Sequence, residues 1–168
     1  DKVLFIDKHA AHERMNFDRM KAEGYDPMSQ TLLAPAVCRL SPEEHAALTA
    51  RLPLLEEFGF AAEDFGGGAL IVRRAPFDVD PGDIEATLTE IARKLLSTGS
   101  ADPAAARDEL LHTMACKAAI KGGWRTSPQE LERMARAVMS GQVRYCPHGR
   151  PVAIELTRGQ LEKQFKRA

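Results

Sequence analysis

Val3-Leu4-Phe5-Ile6-Asp7-Lys8-His9-Ala10-Ala11-His12-Glu13 opens as a continuous apolar run with β-branched residues at its ends and changes character at an aspartate. Such a run has the pattern of a strand buried on both faces. From His9 to about Ala22 the chain has neither glycine nor proline, and Ala10, Ala11, Met15, Phe17 and Met20 support a helix that Gly24 closes. Asp7 therefore falls at a strand-to-helix junction.

Working outward, residues 30–40 read as extended with an interruption at Pro35. Ser41-Pro42-Glu43-Glu44 then starts a helix expected to reach about Phe58 and to stop at Gly59. Phe60 to Phe65, the Gly66-Gly67-Gly68 turn and Ala69 to Arg74 predict a hairpin, followed by a helix from about Asp83 to Leu96. This middle stretch has the makings of an α/β subdomain of its own. Ser97 to Pro103 is a turn-rich break, Ala104 to Lys121 a long helix ended by Gly122-Gly123, and Ser127-Pro128-Gln129-Glu130 a capping-box start. Val152 to Leu156 alternates as a strand, and Arg158 to Lys166 suits a last helix. The class is α+β, with helices and strands mixed.

With 168 residues, 44% of them hydrophobic, the chain can bury one sizeable core or two small ones. Charges amount to 28% and nearly cancel to a formal −1, so no global field advertises a nucleic-acid or membrane surface, and any DNA contact is local or weak. Cys38, Cys116 and Cys146, odd in number and widely spaced, make no disulfide framework and fit a reducing cytoplasm. No apolar run approaches the roughly 18 residues that span a bilayer. Asp1, directly before a strand-like run, suggests a piece of a longer chain.

His9 and Glu13 stand four apart, which puts both side chains on one helix face about one turn apart and suits two ligands of one metal ion. Asp7 can add a third oxygen ligand or a base. The same spacing also serves as an ordinary exposed helix pair. Cys146-Pro147-His148-Gly149-Arg150-Pro151 supplies a thiolate and an imidazole two residues apart, on one side if the backbone is extended, in the manner of a transition-metal site; the alternative is a buried cysteine beside a turn histidine. Cys116 and Cys38 read by themselves as small core residues. His45 and His112 read as surface or packing residues, and His12, rotated away from Glu13, as solvent-facing or supporting.

Together these pieces resemble the C-terminal domain of the endonuclease-bearing MutL family. The family motif Asp-Gln-His-Ala-x-x-Glu-x-x-x-x-Glu is similar to residues 7–18, with Lys8 in place of Gln and Asp18 in place of the final Glu. Ala115-Cys116-Lys117 matches the helix motif Ala-Cys-Lys/Arg, Cys146 through Pro151 match Cys-Pro-His-Gly-Arg-Pro without change, and Phe165-Lys166-Arg167 matches the terminal Phe-x-Arg. The resemblance implies a dimerisation and endonuclease subdomain from residues 1–29 and 104–168, with a regulatory subdomain, residues 30–103, inserted between them.

It further implies a DNA-nicking enzyme in which Asp7, His9 and Glu13 are catalytic. His9, Glu13, Cys116, Cys146 and His148 would hold zinc, manganese or both, magnesium being admissible, and Arg150 would clamp a phosphate or support the loop. Gln30, Leu32, Leu33 and Pro35 resemble the family's peptide for docking onto the sliding clamp, with an edge strand ending at Pro35 as the plain alternative. A homodimer, MutS as partner, and ATP acting only through an N-terminal domain are implied in the same way. So are weak DNA affinity for this part alone and a cytoplasmic protein that joins the nucleoid during repair. The competing class is a dimerisation and clamp-binding module whose zinc is structural; a small-molecule metallohydrolase would want an enclosed apolar pocket that no segment announces.

Overall fold

The computed structural model describes residues 2–98, 102–123 and 126–167, the side chains of 120–123 excepted. In chain order the elements are β1 (Lys2–Ile6), α1 (Lys8–Glu23), β2 (Ser29–Arg39), α2 (Pro42–Thr49), α3 (Leu52–Glu57), β3 (Ala61–Gly66), β4 (Ala69–Pro76), α4 (Ile84–Ser97), α5 (Pro103–Gly123), α6 (Pro128–Met139), β5 (Ala153–Thr157) and α7 (Arg158–Gln164). They form two compact units, one from residues 1–18 and 118–168, the other from residues 19–117. The division passes through α1 and α5, where the sequence reading placed subdomain edges near Ser29 and Ala104. Both sheets are antiparallel, which makes the class α+β. Among the described residues no helix is long and apolar enough to cross a membrane.

In the unit built from both ends, β1 and β5 pair antiparallel, Lys2 opposite Thr157 and Ile6 opposite Ala153. Ile6 and Ala153 pack against a core of Ala11, Met134, Ala137, Val143, Cys146 and Val152, so α1, α6 and the segment before β5 share one apolar centre. The other sheet face carries Val3, Phe5, Ile154 and Leu156, since opposed residues of an antiparallel ladder project to the same side. Val3 is 43%, Phe5 51% and Ile154 60% exposed. The expectation of a strand buried on both faces is thus corrected for the single chain: a two-stranded sheet has only one layer to lie on, and its second face stays bare.

The other unit is built on a three-stranded sheet in the order β2-β4-β3. Ala69, Leu70, Ile71 and Val72 of central β4 are all buried, as befits the strand with a neighbour on each edge. α4 buries Ile84, Leu88, Ile91, Ala92 and Leu95, the repeat of one helical face, and is in contact with β2 and α2. The helix expected from Pro42 to Phe58 is two helices. Pro53 lacks an N–H and its ring collides with the carbonyl one turn back, and the chain breaks at Arg51, whose φ is −132°. In β2 the ladder jumps from Thr31 opposite Arg74 to Ala36 opposite Val72, so residues 32–35 face the single residue Arg73 and loop out of the pairing. Pro35, which has no N–H to give, sits in that loop. α5 runs through Gly123, past the expected stop after Lys121. Residues 99–101 of the predicted break lie outside the described residues.

Candidate metal centre

α1 starts where β1 ends because Asp7 caps it. Its backbone N–H donates to the Val152 carbonyl at 2.8 Å, its carbonyl accepts from Ala11 N–H at 3.0 Å, and its carboxylate Oδ1 accepts the Ala10 N–H at 3.0 Å. This is an N-cap, satisfying a first-turn amide and setting a negative charge at the positive end of the helix. The sequence reading assigned Asp7 only to chemistry. An aspartate immediately before a helical run was the signal for the cap.

Two positions past the cap is exposed His9, and one turn further on is Glu13, only 4% exposed. Glu13 Oε2 lies 4.0 Å from His9 Nε2, and Oε1 lies 3.2 Å from His148 Nδ1. The second approach has the distance of an ion pair but not the alignment of a hydrogen bond, so Oε1 is a buried acceptor that no donor among the described residues satisfies. Such an atom costs about 1–3 kcal/mol unless something electropositive is supplied to it.

His148 arrives from a tight turn. Cys146 N–H donates to Arg150 O at 2.8 Å and Gly149 N–H to Cys146 O at 2.9 Å, with Tyr145 bridged to Pro151 on either side. Pro147 takes a corner that its ring predisposes it to, and Gly149 has φ +82°, open at little cost only to glycine. The expected extended Cys146-x-His148 spacer is therefore corrected: its residues turn rather than alternate, which projects half-exposed His148 toward Glu13 and sends the Cys146 side chain into the core. There Cys146 Sγ accepts the Arg150 N–H at 3.4 Å. Its burial is that of a packing cysteine, and an N–H bond to sulfur is also what supports a thiolate ligand.

Within this unit the fold brings the sequence-distant His148 to Glu13 beside His9. Their donor set, two imidazole nitrogens and a carboxylate oxygen, fits zinc or manganese, and the unsatisfied Glu13 Oε1 is the atom such a cation would answer. Cys116 is a half-buried thiol outside any disulfide, on α5 in the portion belonging to the other unit. Cys38 is buried, and burial, then the nearby Glu85, pushes its thiol up to about 11, as expected of an inert core cysteine. His45 lies 3.0 Å from Asp64 and supports a loop. Arg150 is exposed on the same turn, its carbonyl accepting the Cys146 N–H. Gln30 gives its side-chain N–H to the Val79 carbonyl at 3.1 Å, so the amide has an internal role. Leu33 is 109% exposed at the tip of the β2 loop, with Pro35 exposed and Leu32 half-buried beside it.

The family model described as the MutL C terminal dimerisation domain matches residues 1–126. DNA mismatch repair protein MutL of Anaeromyxobacter dehalogenans is 41% identical over 176 residues, covering 98% of this chain and 28% of the relative. The MutL proteins of Caulobacter vibrioides and Caldanaerobacter subterraneus subsp. tengcongensis are 37% and 32% identical, each over 99% of this chain. The chain thus spans 27–28% of the length of these relatives. With that match across most of its length, the chain belongs to the MutL C-terminal dimerisation domain family.

Proposed function

We propose that this domain is a homodimerising, metal-dependent endonuclease that nicks DNA in mismatch repair. The observation that carries the reading is the buried Glu13 carboxylate between His9 and His148, with one oxygen that no donor among the described residues answers. His9, Glu13 and His148 would hold the metal, with Cys146 and Cys116 as the sulfur donors that the family motifs add. Bound zinc or manganese would supply the Lewis acidity and charge neutralisation that phosphodiester hydrolysis needs. Glu13 has little solvent around it, so its attraction for a cation is screened less than at the surface. The cap holds Asp7 at the mouth of the same helix, where its second oxygen can orient a water. Arg150, on the turn that delivers His148, is placed to contact a phosphate.

The apolar face of Val3, Phe5, Ile154 and Leu156 supports the homodimer, because a second copy would cover what the single chain leaves bare. Leu33 at the tip of the β2 loop supports docking of the sliding clamp, an exposed leucine being a ready anchor for a partner's pocket. Near-neutral charge supports weak DNA affinity in this part, with MutS, the clamp and an ATP-binding region of the longer protein delivering substrate.

One observation favours the alternative of a non-catalytic module with structural zinc: the Asp7 carboxylate has a full structural task as the α1 cap. Asp7→Asn separates the readings, since asparagine caps as well as aspartate but carries no charge. Supercoiled plasmid is incubated with manganese, the clamp, and wild-type or Asp7→Asn protein. Nicking by the wild type alone, with both proteins dimeric and zinc-bound, supports the endonuclease. Absence of nicking by both, with zinc bound, leaves the structural module.

A further inference from the structure

Neighbours along a strand alternate between faces, so β1 offers Val3 and Phe5 on its bare face and Lys2, Leu4 and Ile6 on the face toward the core. Opposite these last three stand Thr157, Glu155 and Ala153 of β5. Ile6, Ala153 and Val138 of α6 pack against one core, but α6 ends at Met139 while the sheet runs on to Leu4 and the Lys2–Glu155 ion pair, 2.9 Å. At the step between helix end and overhanging sheet lies a groove of about 460 Å³, lined only by residues of this unit. Half-buried Leu4 and Val138 and buried Val143 give it an apolar floor, and Met139, 75% exposed, and Tyr145, 54% exposed, stand at its lip. Exposed apolar side chains scattered singly are ordinary, but two large ones over one concavity form a contiguous patch of the kind that takes a partner. One wall is preformed: Tyr145 is bridged to Pro151, and Val152 N–H donates to the Arg144 carbonyl at 3.0 Å, so little remains to be ordered on binding.

The charge around the groove is positive. Glu155 neutralises Lys2, but Arg144 also lines the groove, its Nε donating to the Gly141 carbonyl at 3.1 Å, and it lies so close to Gly141 that an added Cβ there would stand 2.9 Å from Nη2. A guanidinium has several N–H donors in a planar fork, and that bond uses one. The unit as a whole carries 13 Lys and Arg against 8 Asp and Glu, whereas residues 19–117 carry 10 against 16, so the formal −1 of the chain conceals two opposite fields. We propose that this groove binds a short peptide segment of a partner protein in which a leucine or aromatic side chain is flanked by aspartate or glutamate. The apolar side chain fills the floor between Met139 and Tyr145, and the acids meet Arg144 and the positive surroundings. A nucleic acid offers phosphates to the same charge but no aliphatic group to the floor, and a second copy of the chain is drawn to the opposite, more apolar face of the sheet. The inference is independent of the metal centre.

The test pans a displayed library of random peptides on the immobilised protein and titrates the recovered sequences, resynthesised with a fluorophore, by anisotropy. They are expected to combine Leu, Phe, Tyr or Trp with Asp or Glu. Met139→Glu, at an exposed site and checked for folding by circular dichroism, should weaken their binding about tenfold or more, because it sets a charge in the apolar slot and opposes the peptide acids. Met139→Leu should keep the binding. Arg144→Gln should weaken it about threefold and flatten its dependence on salt. Recovery of no peptide, of basic or charge-free peptides, or of acidic ones indifferent to Met139→Glu and Arg144→Gln overturns the assignment. If Met139→Glu instead abolishes binding of a labelled single-stranded oligonucleotide, or turns a dimer into a monomer in sedimentation equilibrium, the groove belongs to nucleic acid or to a second copy, and the peptide assignment falls.

Discussion

Glu13→Gln is the most direct perturbation of the centre. In the metal-free protein the Glu13 carboxylate is 4% exposed and one oxygen lacks a hydrogen bond. A buried unsatisfied acceptor costs about 1–3 kcal/mol, and a neutral amide of the same shape costs less to bury than a charge. In EDTA, Glu13→Gln should therefore be more stable than wild type by about 1 kcal/mol, a rise of roughly 2–4 °C in Tm for a domain of this size. Metal reverses the order. At a concentration a hundred times its Kd, a bound ion adds about 2.7 kcal/mol to the wild type, whereas a variant with about a hundredfold weaker affinity gains only about 0.4 kcal/mol. Calorimetry of both proteins in EDTA and in excess zinc should show the two Tm values crossing. If the variant is less stable than wild type in EDTA, His9 and His148 already satisfy the carboxylate and no cation is called for. If zinc raises both Tm values equally, Glu13 is not a ligand.

Asp7→Asn should leave the urea midpoint within about 0.5 kcal/mol of wild type while Asp7→Ala loses about 1 kcal/mol, because only alanine removes the cap; equal losses would mean that the charge rather than the hydrogen bond starts α1. Leu33→Glu should leave stability within about 0.5 kcal/mol and abolish clamp binding by surface plasmon resonance, since Leu33 touches little of its own chain. Phe5→Glu should give a monomer in sedimentation equilibrium if the bare β1 face is the homodimer contact. The Asp64 carboxyl is held below its usual value by the Gly66 backbone N–H and then by His45, and Glu44 by the Ser41 backbone N–H and then by Arg93. Both groups have depressed folded values, so their stabilisation is complete above the ordinary carboxylate range and is lost as pH falls through those lowered values. Urea midpoints taken from pH 6 downward should fall less steeply for Asp64→Asn than for wild type.

Local code in the chain was readable directly. The N-caps at Ser41 and Ser127, the three-glycine hairpin turn and the apolar stripe of α4 depend on neighbours within about one turn, so spacing alone announces them. The break at Pro53 was missed, because the sequence reading carries one helix through it to about Phe58 and weighs the flanking helix formers above the proline. The motif residues His9, Glu13 and His148 were recognisable as metal-ligand types at suggestive spacing. Only the tertiary structure decided that Glu13 is buried, that a glycine-dependent turn rather than an extended spacer carries His148 to it, and that Cys146 points into the core. Burial and approach depend on which distant segments share an apolar centre, and no periodicity along one segment encodes them. For the same reason β1 read as a strand buried on both faces: its sequence records a need for cover on each side, and only the fold shows that this chain supplies cover on one.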